Sequence, residues 1–220
     1  MIDTLLSYIA PHLCYGCGQT GTVLCDSCMN NIDNEQLSQC IVCPRSARRH
    51  LCSKHVGMID DGWYGAMRVG VVERLIDAYK FENVKAAARP LTQILLVNLP
   101  ALPDRTVIVP IPTIASHIRE RGYDHMSLVA RDVVRIRKLT LIPLLQRNTS
   151  TTQRDADRRL REKQAQEAFR VVGDIDPERP YLIIDDIATT GATLRHAAET
   201  LRRAGARTIW VAAVARQPLD

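Results

Sequence analysis

The sequence predicts an α/β protein in which a parallel sheet carries helices on both faces, preceded by a small metal-binding module. Three observations support this. Short β-branched runs alternate with segments whose apolar residues recur at helical spacing, the order that builds a parallel sheet. All seven cysteines fall within residues 14–52 of the 220-residue chain. The composition, 46% hydrophobic and 24% charged, is that of a chain able to bury a core, which excludes general disorder.

The module is taken as residues 1–60. Ile2, Leu5, Leu6 and Ile9 recur at the spacing of a short amphipathic helix that Pro11 ends. The cysteines then come in pairs: Cys14-x2-Cys17, Cys25-x2-Cys28, Cys40-x2-Cys43, and finally Cys52-x2-His55. A tight turn at this spacing brings two sulfurs to one ion at about 2.3 Å each, and a second pair closes a tetrahedron. Seven cysteines with His55 supply the ligands of two structural Zn²⁺ sites. The odd cysteine count argues against disulfides, and the repetition argues against a redox pair. The spacing fits sequential or interleaved sharing of the two ions, and His50 stands near His55 as an alternative eighth ligand. So short a segment cannot bury enough apolar surface to fold alone, so metal is expected to supply the missing stability.

Residues 61–220 carry the alternating pattern. A strand is expected at Ala66 to Gly70, a helix through Val72, Leu75, Ile76 and Tyr79 closing at Lys80 and Phe81, and another helix across 86–96. Thr106 to Val109 reads as a strand. Met126, Val129, Ala130 and Val133 line a helix, and 139–145 offers a short strand interrupted by Pro143. Tyr181 to Ile184 reads as a buried strand. Leu194, Ala197, Ala198 and Leu201 line a helix with Gly205 at its end, and Thr208 to Val211 returns as a strand.

The net charge is +5, and residues 61–143 hold 12 Lys/Arg against 8 Asp/Glu. A basic centre of this kind fits a solvated surface or attraction to a phosphorylated ligand or nucleic acid. No apolar run approaches the ~18–20 residues of a membrane-spanning helix, and Met1-Ile2-Asp3-Thr4 lacks the basic start of a signal peptide. The expectation is a cytoplasmic protein with no membrane insertion.

The strongest chemical signal is the segment from Tyr181 to Leu194, where a hydrophobic strand delivers Asp185 and Asp186 at its carboxyl end before a Thr/Gly loop and a helix. Ligands of open parallel sheets bind at such strand ends. Backbone N–H groups, the hydroxyls of Thr189, Thr190 and Thr193, and the helix start form a phosphate cradle, with Gly191 permitting close approach. Two carboxylates beside a phosphate need another contact, and vicinal sugar hydroxyls or a bridging Mg²⁺ supply one. Helix capping competes with this reading, but it does not need two acids, three threonines and a glycine within one short segment.

This segment resembles the phosphoribosyl pyrophosphate (PRPP) motif of type I phosphoribosyltransferases. The resemblance implies that Asp185 and Asp186 hold the ribose hydroxyls, that Ala188, Thr189, Thr190, Gly191, Ala192 and Thr193 wrap the 5-phosphate, and that Mg²⁺ accompanies PRPP. Val109-Pro110-Ile111-Pro112, Arg119-Glu120-Arg121-Gly122-Tyr123, Gln153 before an Arg-rich stretch, and Ala168-Phe169 resemble the ComF family, whose members begin with a double zinc ribbon. Ile111 and Arg121 join the binding site on that ground. The backbone N–H groups of Ile111 and Thr113 could meet pyrophosphate. Arg154, Arg158, Arg159, Arg161 and Lys163 occupy the place of the flexible hood. The chain departs from the family at Tyr123, Asp124 and His125, which are expected to lie outside the cradle. The resemblance implies an accessory factor in DNA uptake (competence, natural transformation) or DNA processing, touching single-stranded DNA and a DNA-uptake helicase. The alternative is an active transferase passing ribose 5-phosphate to an unidentified acceptor. Tyr64, Tyr79, Phe81 and Tyr123, the aromatics able to stack on a base, read as core or hinge residues.

Overall fold

A computed structural model describes residues 11–32, 39–43, 45, 47, 51–148 and 168–218. The expected N-terminal helix, His50 and the Arg-rich stretch lie outside them. Five strands form one parallel sheet in the order β1-β7-β6-β2-β3. They are β1 (Asp61–Met67), β2 (Val107–Pro110), β3 (Thr140–Leu141), β6 (Pro180–Ala188) and β7 (Thr208–Arg216). A separate antiparallel pair joins β4 (Leu145–Arg147) to β5 (Phe169–Val171). The α/β class expected from the sequence is therefore observed.

The central strands read as near-continuous apolar runs because both sheet faces are covered. On one face lie α2 (Gly70–Phe81), α3 (Ala88–Val97) and α5 (His125–Arg137). Their Leu75, Leu91, Leu95 and Val133 pack with Ile108, Leu182 and Val214 of the sheet. On the other face α6 (Ala192–Arg203) presents Leu194, Ala197, Ala198 and Leu201 to Val109, Ile183 and Val211. Such fully buried Leu and Ile side chains each cost about 2–5 kcal/mol when cut to Ala. The short α4 (Ala115–Arg121) ends at Gly122, and α5 is capped by Asp124, whose carboxylate accepts from the N–H groups of Met126 and Ser127.

The cysteine-rich segment packs into both cores. Cys14, Val23, Leu24 and Ile32 join the core of α2 and α3, while Cys40, Ile41, Val42 and Cys52 join that of α6. The segment thus reaches both faces of the sheet.

Three local expectations shift. The strand expected at 66–70 is β1, which ends at Met67, and helix α2 starts at Gly70. The single strand expected across 139–145 is two, because Pro143 has no N–H for the ladder: β3 stays in the main sheet and β4 leaves it. The strand expected at 181–184 continues to Ala188 because β7 runs beside it, pairing Asp185 with Ala213 and Ala188 with Arg216.

Candidate functional site

The cysteine pairs close in sequence order. Cys14, Cys17, Cys25 and Cys28 form one cluster, and Cys40, Cys43, Cys52 and His55 form the other, with the donor atoms of each within 4.8 Å of one another. In the first, Cys25 begins α1 (Asp26–Asn30), whose opening turn carries Cys28 back toward it. Four sulfurs about 2.3 Å from a tetrahedral ion stand about 3.8 Å apart. The Sγ atoms of Cys14 and Cys17 each lie 3.7 Å from that of Cys25, and the Cys43 and Cys52 Sγ atoms are 3.6 Å apart. His55 turns Nδ1 to the Sγ atoms of Cys52 and Cys40, at 3.3 and 3.5 Å. Both donor sets fit structural zinc. Burial raises the Cys14 thiol, but the N–H groups of Cys17, Cys25 and Gly16 outweigh it and bring the thiol down to about 6, so its sulfur is ready to bind metal at neutral pH. Burial holds the His55 imidazole below its usual range, and therefore neutral.

The second cluster touches the predicted phosphate loop. Val42, between two of its cysteines, lies directly against Gly191. A Cβ at 191 would stand 2.6 Å from the Val42 carbonyl carbon, and Gly191 has φ +69°. Both the close approach and the left-handed backbone require glycine here. Arg216, the last residue of β7, is fully buried and ties the same two parts together. Its Nε donates to the Cys40 carbonyl at 3.2 Å, and its Nη1 donates to the carbonyls of Ala188 (2.8 Å), Thr189 and Gln217 (3.2 Å).

The loop opens into a cleft of about 310 Å³ at the carboxyl ends of β2 and β6. Asp185, Asp186, Thr189, Thr193, Ile111 and Arg121 from the predicted set all line it. Ala188 and Gly191 are buried beneath it, and Thr190 is exposed, its Oγ1 accepting from Ala192 N at 3.4 Å. The N-cap of helix α6 is Gly191, which has no side chain to cap it. The two acids do not cap the helix. The Oδ1 of Asp185 accepts from the N–H of Asp186, and Asp186 turns to Lys80 and His125.

Both acids line the cleft at the strand end yet are only 8% exposed, because β6 carries them in the cleft wall. Lys80 Nζ reaches Asp186 Oδ1 at 2.8 Å, and His125 Nε2 is hydrogen-bonded to Oδ2. Burial acts to raise the Asp186 carboxyl, but the His125 hydrogen bond and the Lys80 ammonium overcome it and hold the group well below the usual carboxylate range. Among the described residues Asp185 has no ion pair of its own, and Lys80 and Arg147 act on it only through their charge. Burial, with the charge of Asp186 beside it, pushes Asp185 up to about 8. The neighbouring acids therefore differ in charge at neutral pH, one ionised and one protonated.

His125 was expected to lie outside the phosphate cradle. Its position at the start of α5 brings it onto Asp186, beside the cradle, while its Nδ1 lies 3.2 Å from both Thr113 Oγ1 and Arg121 Nη1. The Ile111 N–H expected to meet pyrophosphate is engaged by the Ile184 carbonyl at 2.9 Å, because the β2 ladder extends one residue past the strand. Lys80, Arg147 and Arg216 were absent from the predicted site. Arg147 lines the cleft and donates from Nε to the Pro112 carbonyl at 2.8 Å. Among the described residues, no helix is long and apolar enough to cross a membrane. No protein-family model matches the sequence, and no curated protein matches it.

Proposed function

We propose that the chain binds a 5-phosphorylated ribose, PRPP foremost, in the cleft at the ends of β2 and β6. The observation that carries this reading is the adjacent acid pair Asp185 and Asp186 lining one cleft with Thr189 and Thr193, beside a helix that opens at Gly191. A protonated carboxyl donates to a hydroxyl and an ionised one accepts, so the pair suits vicinal sugar hydroxyls. The helix start and the hydroxyls of Thr189 and Thr193 suit the phosphate. Lys80, Arg121 and Arg147 face the same space, so positive charge prevails there over the ionised Asp186. Mg²⁺, which the resemblance to the PRPP motif implies, would meet Asp185 in its ionised form rather than Asp186, since both oxygens of Asp186 are engaged.

Calorimetric titration with PRPP and Mg²⁺ tests the reading, using the wild type and an Asp185→Asn/Asp186→Asn double variant. Binding by the wild type that weakens sharply in the variant is expected. No binding, or equal binding by both, would remove the reading.

The wider role we propose from the same resemblance is that of an accessory factor in DNA uptake or processing, with single-stranded DNA and a helicase as partners. The cationic cleft lining supports it, and its assay is a steep salt dependence of single-stranded DNA binding. A second reading, transfer of the phosphoribosyl group to an acceptor, is favoured by the open aromatic side chain at the cleft rim, Phe81. Its assay is release of pyrophosphate from PRPP on addition of an acceptor.

A further inference from the structure

Among the described residues, Arg216 is the one Arg or Lys that is buried, at 0% exposure. Its hydrogen bonds go to carbonyls alone, those of Cys40, Ala188, Thr189 and Gln217. No carboxylate among the described residues pairs with it, and its Nη2 is buried with no acceptor. A guanidinium taken out of water is strongly destabilising unless an opposite charge stands close by. Carbonyl dipoles do not supply that charge.

The groups whose charge acts on the guanidinium are Tyr64, Cys40 and Cys43. Tyr64 is fully buried, and burial raises its phenol, so it carries no charge at neutral pH. Cys40 and Cys43 belong to the second metal cluster. Three thiolates, one neutral imidazole and a divalent ion sum to one net negative charge. Cys40, Cys52 and His55 are 0%, 6% and 6% exposed, so that charge lies nearly as far from water as the guanidinium does. The other cations near His55 are less suited to balance it. Arg45 and Lys54 are exposed, and Arg195 pairs with Glu199 at 3.3 Å. The first cluster is more negative by one charge, but Cys17 is exposed and Cys25 and Cys28 are half-buried, so solvent screens it.

We propose that Arg216 is the counter-ion of the second metal centre, its single positive charge matched to the single net negative charge of a zinc ion held by three cysteines and one histidine. It does not ligate the metal. It acts from behind Cys40, whose carbonyl accepts from its Nε at 3.2 Å, and is therefore a positioning residue for that site. The match depends on the ligand set. A cysteine in place of His55 would add a second negative charge, and a histidine in place of Cys43 would remove the first and leave the guanidinium uncompensated.

The test measures metal affinity at each cluster of the full chain by competition with a chromophoric chelator. Cadmium NMR of the metal-exchanged protein tells the four-sulfur site from the three-sulfur one, and melting temperature is the control for the fold. Arg216→Met should weaken the second site about 10- to 100-fold, as loss of an outer partner of a metal ligand does, and leave the first unchanged. Arg216→Lys keeps the charge and should retain most of the affinity that Arg216→Gln, which keeps only a donor, loses. Arg45→Met removes an exposed charge and should change neither site. Cys43→His neutralises the centre, so its cost to the second site should be about tenfold smaller in the Arg216→Gln background than in the wild type. Unchanged affinity in Arg216→Met, or equal losses at both clusters, would overturn the pairing. Where Arg216→Met does not fold, the other two variants decide: Arg216→Gln binding as tightly as Arg216→Lys overturns it. Additive losses on combining Cys43→His with Arg216→Gln overturn the charge match and leave Arg216 a hydrogen-bonding strut.

Discussion

Gly191→Ala tests the junction between the second metal cluster and the phosphate loop. Two costs add. At φ +69° an L-residue sits in the left-handed region, at about 1–2 kcal/mol. The new methyl would also stand 2.6 Å from the Val42 carbonyl carbon. Val42 cannot retreat easily, because Cys40 and Cys43 on either side of it belong to one metal cluster. Overpacking of this kind costs about 1–3 kcal/mol. The sum, about 2–5 kcal/mol, lowers the melting temperature by roughly 4–20 °C for a chain of this size. With the knuckle held by metal, the loop is the part that moves, so ribose 5-phosphate should bind about tenfold more weakly or worse. Gly205→Ala is the control, since Gly205 is also left-handed but a Cβ there meets nothing within 4 Å. Scanning calorimetry and ligand titration read both effects. A Gly191→Ala protein that melts and binds like the wild type would refute the rigid junction, and one that melts low but binds normally would refute its link to the ligand.

Three other outcomes follow from the same geometry. Arg216→Met leaves the carbonyls of Cys40, Ala188 and Thr189 without their buried donor, at about 1–3 kcal/mol each, so denaturant titration should show a loss of at least about 3 kcal/mol. Cys17→Ser and Cys43→Ser should each remove one bound zinc ion, measured by atomic absorption, but only Cys43→Ser should also weaken ribose 5-phosphate binding, because only the second cluster abuts the loop. The pH dependence separates the two acids. Asp185 is raised to about 8 against an ordinary value near 4, so the folded state holds a proton that the unfolded state has released. The wild type should therefore lose stability relative to Asp185→Asn as pH rises from about 5 to 8, and the gap should level off above that. Asp186 is depressed, so its contribution is complete above the unfolded value and is lost only as pH falls below it into strong acid. Melting curves of the wild type and Asp185→Asn across this range, with no widening gap, would refute the assignment.

What the sequence made legible is what lies close together in it. The four x2 pairs identify their own ligands, and the segment from Asp185 to Thr193 displays its strand, loop and helix start in one reading. The choice between sequential and interleaved metal pairing is not local, since it depends on how the turns between knuckles run, and only the fold gives it. The groups that set the charge of the acid pair were illegible for the same reason. Lys80 closes a helix over a hundred residues before Asp186, and His125 opens another. His125 did leave a trace, as a departure from the ComF pattern, but without the fold nothing linked it to Asp186. Arg216 left less, since an arginine after the apolar run of β7 reads as a strand reaching solvent. In the fold that strand end is covered by the metal knuckle, so the guanidinium is buried among carbonyls. The cysteine segment is therefore more than an appended unit stabilised by zinc. Its first cluster builds the helical core of α2 and α3, while its second presses on Gly191 and, through Arg216, shares hydrogen bonds with the loop proposed to hold the phosphate. Metal at the second cluster and ligand at that loop should therefore stabilise each other, and metal at the first cluster should not take part.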